Sequence, residues 1–258
     1  MPGSDERKLT KALASGADLV VADLEDGVSP DRKDEARELV ARVRPPAVRV
    51  NGVDTAPFER DLALVRELGL EAVMLPKATP EAVAALGADG PPVIAIVETA
   101  LGLRLAYETA AAPRVAVLML GAADLGAELG LEPRADELEI LYARSKLVAD
   151  SAAAGVRPPI DVVHLDVRDR EGLERSARLA RSLGYRSKAC IHPDQVPVVN
   201  GVFSPASDEV EWARQVLDAY ERGRREGRGA VALDGSMVDL PVVERARKVL
   251  AEDERRHG

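Results

Sequence analysis

The sequence predicts a parallel α/β fold built of strand–helix units, and three features of its 258 residues predict it. Short apolar runs alternate with amphipathic segments of helical period, the connections between them are short, and several runs stop abruptly at a charged residue. Val93-Ile94-Ala95-Ile96-Val97 ends in Glu98, and the run from Val115 to Leu120 is closed by Gly121-Ala122-Ala123-Asp124. Unbroken apolar runs of this kind are strands buried on both faces, as in parallel sheets covered by helices.

Taken in order, Asp5 to Ala14 reads as a helix closed by Gly16, and Ala17 to Asp23 as the first buried strand, with Leu24-Glu25-Asp26-Gly27 at its end. Ser29-Pro30 supplies an N-cap and a first-turn proline for a helix with Ala36, Leu39, Val40 and Val43 on one face, broken by Pro45-Pro46. Ala47 to Asn51 is a short strand, and Phe58 to Leu68 a helix with Gly69 past its end. Glu71 to Lys77 is a strand and Pro80 to Leu86 a helix. After the strand that ends at Glu98 come a helix from Leu101 to Ala111, a strand from Arg114 to Leu120, a loop, and a long helix from Glu137 to Ala154 stopped by Gly155. Ile160 to His164 is a strand, Gly172 to Leu183 a helix, and Ser187 to Ile191 a strand before His192-Pro193. That makes seven strands between Ala17 and Ile191. An eight-stranded barrel needs one more, and its place ahead of the first helix holds only Met1-Pro2-Gly3. The alternatives are a barrel with a shortened first strand and an open sheet. Pro205 to Tyr220 is a further amphipathic helix and Gly223 to Gly229 a charged linker. Ala230 to Glu252 reads as a short extended piece, a turn at Asp234-Gly235, and a helix opening near Pro241.

At 46% hydrophobic residues the chain can bury a large core, and a formal net charge of −9 argues against a nucleic-acid partner, whose phosphates demand a basic face. Aromatics are only 3%, so the core is Ala, Val and Leu packed in helix–strand layers. The lone Cys190 rules out an intramolecular disulfide and suits a reducing compartment. No apolar run approaches a membrane span and no signal-like segment opens the chain, so a cytoplasmic protein is expected.

In parallel barrels the active site collects at the C-terminal strand ends. The polar residues there are Asp23, Glu25 and Asp26; Arg49 and Asn51; Lys77; Glu98; Asp124; Asp161 and His164; and His192. Glu98 and Asp124 end consecutive strands, which normally lie side by side. Two neighbouring carboxylates repel unless a cation or proton lies between them, and Mg²⁺ is commonly held by one or two carboxylates plus substrate oxygens and water; helix capping by each carboxylate is the other reading. Arg49, between Val48 and Val50, is aimed by strand alternation either at a substrate carboxylate or at a structural ion pair with Glu25 or Asp26. Lys77 is open to two readings, a surface or ion-paired lysine or a desolvated Schiff-base nucleophile. The acidic Asp23-Leu24-Glu25-Asp26 cluster orients Arg49, assists a metal-bound water, or simply caps and solvates the loop. Gly121, Ala122 and Ala123 are small enough for backbone N–H groups to approach an anion. His164 and His192 are either acid/base groups or structural.

Asp23-Leu24-Glu25-Asp26-Gly27, Val48-Arg49-Val50-Asn51, Leu75-Pro76-Lys77, Val97-Glu98-Thr99-Ala100, Gly121-Ala122-Ala123-Asp124-Leu125, Ile191-His192-Pro193 and Gly235-Ser236-Met237-Val238-Asp239-Leu240-Pro241 follow one another in the order of the citrate lyase β-subunit family, which the chain resembles along nearly its whole length. The family includes citryl-CoA, malyl-CoA and citramalyl-CoA lyases. The resemblance implies a (β/α)8 TIM barrel over residues 1–204, its first strand truncated, and a C-terminal helix and lid extension over residues 205–258 that packs on a neighbouring subunit. It implies Mg²⁺ on Glu98 and Asp124, an acyl-CoA and a small keto or hydroxy acid as ligands, and a homo-oligomer, trimer or hexamer. Arg49 takes the substrate carboxylate, Glu25 supports that pocket, and Asp239 is presented by a neighbouring subunit. Lys77, Glu98, Gly121 and Ala122 complete the expected substrate contacts. The implied reaction is carbon–carbon cleavage of a 3-hydroxyacyl-CoA. A Schiff-base aldolase through Lys77, an acyl-CoA thioesterase and a catalytically weak metabolite-binding subunit are the alternatives. The chain departs from the family's pattern in two places: Ala123 stands where a Glu is usual, and only Pro2-Gly3 remains of the first strand's motif.

Overall fold

The computed structural model describes residues 1–257 and divides into two compact units, Met1–Val199 and a second that starts at Asn200. The first unit is a seven-stranded sheet in sequential order, every neighbouring pair parallel. It runs α1 (Glu6–Leu13), β1 (Val21–Asp23), α2 (Lys33–Val43), β2 (Ala47–Arg49), α3 (Phe58–Leu68), β3 (Ala72–Leu75), α4 (Pro80–Ala85), β4 (Val93–Val97), α5 (Ala100–Arg104), α6 (Ala106–Ala110) and β5 (Val115–Leu120). It continues with α7 (Ala122–Leu129), α8 (Leu141–Ala154), β6 (Arg157–Asp161), α9 (Arg170–Leu183) and β7 (Ser187–Lys188), and the chain passes into the second unit within α10 (Val196–Phe203).

Beside β1 the segment Met1–Gly3 adds a parallel bridge at Pro2–Asp23, with Gly3 N donating to Asp23 O at 2.7 Å and Asp23 N to Met1 O at 2.8 Å. A Cβ on Gly3 would stand 2.9 Å from Asp23 O, so this approach requires glycine. Met1–Gly3 thus pairs along the outer edge of β1, while among the described residues no ladder joins it to β7.

Period-two alternation sorts the side chains of every strand. Ala22, Val48, Val73, Leu75, Val93, Ala95, Val97, Leu118 and Leu120 pack in the main core with Leu9, Ala36, Val40, Phe58, Leu62, Val65, Ala106 and Leu147 from the helices. The opposite parity, Ala47, Ala72, Ile94, Ile96, Val117 and Met119 with Val21, Met74, Ile160 and Ala189, forms a separate, smaller cluster on the other face. Asp23, Arg49 and Glu98 have the parity of that smaller cluster. Asp161 and Lys188 have the parity of the helix layer.

This parity corrects the placing of Asp161 among the site candidates. Fully buried, Asp161 binds Arg144 Nε at 2.8 Å and Nη2 at 3.1 Å and Lys188 Nζ at 2.6 Å, while Ser176 Oγ on α9 accepts from both cations. Arg144 also meets Glu137 at 2.7 Å. The network ties β6 and β7 to α8 and α9.

Other boundaries differ for identifiable reasons. The expected loop after Gly121 is α7: alanines are strong helix formers, Leu125 and Leu129 share a face, and Gly130 closes it in the left-handed region. The expected helix from Leu101 to Ala111 is two short helices that meet at Leu105. β6 begins earlier than expected, at Arg157, despite Pro158 and Pro159; these cannot donate to the ladder, and the register with β5 shifts there. α10 was not anticipated.

The second unit comprises α11 (Ser207–Arg225), a hairpin of β8 (Val231–Leu233) and β9 (Ser236–Val238), and α12 (Leu240–His257). α11 runs into the stretch expected as a linker from Gly223. Asp234 and Gly235 both take positive φ, the geometry of a tight two-residue hairpin turn. Ala213, Val216, Tyr220, Val238, Val243 and Ala246 form its core, and Arg245 lies 5.0 Å from the Trp212 ring centre. Among the described residues no helix is long and apolar enough to cross a membrane.

Removing the Asp161 charge leaves two buried cations around a neutral group. Asp161→Asn is expected to cost roughly 3–5 kcal/mol of stability in urea unfolding; a loss under about 1 kcal/mol would mean the network is not charge-dependent.

Candidate active site

Four strand tips of the first unit bring the candidate residues together. Asp23 ends β1, Arg49 ends β2 opposite it in register, Lys77 follows β3 and Glu98 follows β4. Arg49 donates from Nε and Nη2 to the two oxygens of Asp23, both at 2.7 Å, a two-pronged pair. Its Nη1 stands 3.0 Å from Glu25 Oε2, out of line for a hydrogen bond, so that contact is purely ionic. Among the described residues Asp26 makes no such pair; of the two structural partners expected for Arg49, Glu25 is met, while the main fork is held by Asp23, which was not one of them.

Burial works against the Arg49 charge, but Asp23 and then Glu25 outweigh it and raise its pKa, so Arg49 is permanently cationic. Burial likewise opposes ionisation of Asp23, and the Arg49 hydrogen bonds win, holding the carboxyl below its ordinary value. Glu25 goes the other way: burial dominates Arg49 and Lys77, and its pKa is raised.

Lys77 takes a positive φ of 49°, which turns its backbone N–H onto Glu98 Oε1 at 2.8 Å while its ammonium meets Glu25 Oε1 at 3.1 Å. Burial lowers the lysine pKa, but the Glu25 hydrogen bond and charge reverse this and the net shift is upward. A Schiff-base nucleophile requires the opposite. Lys77 is an ion-paired lysine with half of its side chain exposed.

Glu98 is 3% exposed. Burial, with Glu25 and Asp124 adding their charges, pushes its pKa up to about 7 against the opposing pull of the Lys77 N–H. Its Oε1 takes that one hydrogen bond, and Oε2 takes none among the described residues. A Cβ on Gly121 would lie 2.6 Å from Oε2 and 2.5 Å from Glu98 Cβ, so glycine makes room for this carboxylate. The Gly121 N–H is spent on Val97 O at 3.0 Å, which corrects its expected role as an anion donor. The N–H of Ala122 opens α7 and has no acceptor within the helix. Asp124 lies exposed in the first turn of α7, with the exposed Ala123 beside it.

Among the described residues no group of three or more His, Cys, Asp or Glu is arranged to hold a metal. The site offers instead a pair, Glu98 and Asp124, with Glu98 in a setting that a cation would relieve. Such a donor set fits a hard cation that keeps water and substrate oxygens in its shell.

Of the remaining strand-end residues, His192 and Asn51 hold the fold. His192 accepts from Asp194 N at 3.2 Å and caps the turn at Pro193–Gln195. His164 Nε2 is buried without a hydrogen bond, 3.5 Å from Asp169. Asn51 binds Asp61, a buried residue of α3 with no strand-tip signal to mark it. Asp239 belongs to the second unit, where it follows β9 and accepts from Val242 N at 3.4 Å at the start of α12.

Because the folded protein favours protonated Glu98, its cost is absent below about pH 4.5, grows as pH rises, and is complete above pH 7. In cation-free buffer at pH 8, Glu98→Gln is expected to be more stable than wild type by roughly 1–3 kcal/mol, the gap closing toward pH 4.5. Equal urea midpoints across that range would refute the assignment.

The sequence matches the HpcH/HpaI aldolase/citrate lyase family over residues 1–193. It is 38% identical to a (3S)-malyl-CoA thioesterase of Cereibacter sphaeroides, covering 98% of this chain and 93% of that protein. It is 32% identical to the mitochondrial citramalyl-CoA lyase of Rattus norvegicus, over 97% and 83% of the two chains. The crystal structure of CitE from Mycobacterium tuberculosis in complex with magnesium, acetoacetate and coenzyme A superposes with a TM-score of 0.87 at 39% identity, over 98% of this chain and 96% of that one. With a parallel α/β sheet that gathers Asp23, Arg49, Lys77 and Glu98 at its strand tips, the chain belongs to the HpcH/HpaI aldolase/citrate lyase family.

Proposed function

We propose that the chain is a Mg²⁺-dependent carbon–carbon lyase that cleaves a 3-hydroxyacyl-CoA, of the citryl-, malyl- or citramalyl-CoA type, into a shorter acyl-CoA and an α-keto acid. The observation that carries this reading is Glu98: a buried carboxylate with a pKa raised to about 7, one oxygen without a hydrogen bond among the described residues, and permanently charged Arg49 on the same face. The magnesium, acetoacetate and coenzyme A held by the CitE structure are the ligands such a site would select.

Glu98 and Asp124 would hold Mg²⁺, which when bound supplies Lewis-acid polarisation of substrate oxygens and neutralises their developing charge. Arg49 grips the carboxylate of the acid fragment. Asp23 occupies its Nε–Nη2 side, so the end formed by Nη1 and Nη2 is the one left for substrate. Glu25 keeps Nη1 and the Lys77 ammonium in place. Lys77 and the Ala122 N–H add donors for substrate oxygens, and Gly121 keeps the approach to Glu98 open. A base takes the hydroxyl proton, and the oxygen's electron pair becomes the new C=O bond. The C–C bond breaks, and its electrons pass to the thioester fragment as an enolate. Asp239, presented by a neighbouring subunit, protonates that enolate.

The exposed Met237 and Leu240 on either side of Asp239 support a lid that closes against another copy, in a homotrimer or hexamer. The Met1–Gly3 bridge supports closure of the sheet as an eight-stranded barrel. The unpaired Cys190 suits a cytoplasmic enzyme.

A panel of acyl-CoA substrates with and without Mg²⁺ tests the reading. EDTA is expected to reduce keto-acid release to background, and Arg49→Lys to lower kcat/KM roughly 100-fold. Mg²⁺ should raise the unfolding temperature of wild type but not of Glu98→Gln. Full activity in metal-free enzyme would overturn it. The 38% identical thioesterase supports a second reading, which the same panel separates as release of CoA and free acid without keto acid. Borohydride should trap no adduct on Lys77.

A further inference from the structure

Lys33 is the first residue of α2, where the positive end of the helix dipole disfavours a lysine. Its ammonium sits beneath the exit of β1. Nζ donates to the carbonyl oxygens of Leu24 and Glu25, each at 2.6 Å, and to Asn51 Oδ1 at 2.8 Å. An ammonium has three N–H groups, so each has an acceptor, and all three acceptors are neutral oxygens. The same carbonyls are held a second time, Leu24 O by Asn51 Nδ2 at 2.8 Å and Glu25 O by Val28 N at 3.0 Å. Asn51 is in turn fixed by the fully buried Asp61, through its backbone N at 2.8 Å and Nδ2 at 2.6 Å, and Arg37 Nε secures Asp61 at 2.7 Å. The turn after β1 therefore has its backbone anchored to α2 and, through Asn51 and Asp61, to α3, while its Glu25 side chain reaches Arg49 and Lys77.

We infer that Lys33 is a positioning residue of the active site: by pinning the Leu24 and Glu25 carbonyls it fixes the turn that delivers Glu25 between Arg49 and Lys77, and so sets how Arg49 faces the acid group of the substrate. This rests on the roles given above to Arg49 and Glu25. Lys33 acts on substrate only through Glu25, so its removal and the removal of the Glu25 charge are coupled.

The test is a double-mutant cycle of Lys33→Met and Glu25→Gln in the full-length protein with Mg²⁺, read on kcat and KM and, separately, on oxaloacetate affinity by calorimetry, together with a crystal structure of the Lys33→Met protein. Lys33→Met alone is expected to lower kcat/KM roughly 10–100-fold, and to cost far less than that in the Glu25→Gln background. The crystal structure should show the Glu25 carboxylate withdrawn from Arg49 and Lys77. Multiplicative losses, or an unmoved Glu25, would overturn the inference. Should Lys33→Met fail to fold, Lys33→Gln, which keeps two N–H donors on a shorter, uncharged side chain, replaces it in the cycle; if that also fails to fold, Lys33 is a structural residue and the inference is wrong. Wild type inactive on every acyl-CoA would sink the lyase reading alone, because the displacement of Glu25 is read without turnover.

Discussion

A parallel strand buried on both faces still has to choose a side for each residue, and that choice, repeated every second position, governs where charge can be placed in this protein. Arg49 and Glu98 share the parity of Val21, Ala47 and Ile96, and they emerge together on the face opposite the helices. Asp161 and Lys188 have the other parity and are enclosed by α8 and α9. One residue of register would exchange these fates. The parallel ladder from β1 to β4 holds the register of these strands, and so decides which charges gather with Glu98.

The two sets of buried charge are compensated differently. Around Asp161 each charge has an opposite neighbour and hydrogen bonds, which makes a closed group with nothing left to offer a ligand. Around Glu98 the balance is incomplete. Arg49 is claimed by Asp23, Lys77 by Glu25, and Glu98 is left with one backbone N–H and two acidic neighbours. An incomplete balance of this kind costs stability in the free protein and favours a cation when one arrives.

Much of this was legible in the sequence where the signal is local. Apolar runs with charged tips located β2, β4 and β5 within a few residues and singled out Arg49, Lys77 and Glu98. The left-handed end of α3 fell on Gly69 as its spacing suggests. What escaped was everything that depends on a second element. The direction of Asp161 follows from its register against β5 and β7, which strand composition does not carry. α7 was hidden because Gly126 interrupts its pattern and Gly121 resembles a loop residue, although Gly121 is there to clear space for Glu98. Lys33 and Asp61 lie on helices whose periodicity marks only their apolar positions, and only the folded chain brings these charges to Leu24 and Asn51.

The left-handed backbone at Lys77 divides one residue into two independent parts. Its peptide N–H serves Glu98 and its side chain serves Glu25. The first contact survives any change of side chain that tolerates positive φ, for which Asn and Gly are the easiest choices. A substitution there therefore changes what stands beside Glu25 while the N–H that holds the Glu98 carboxylate stays in place.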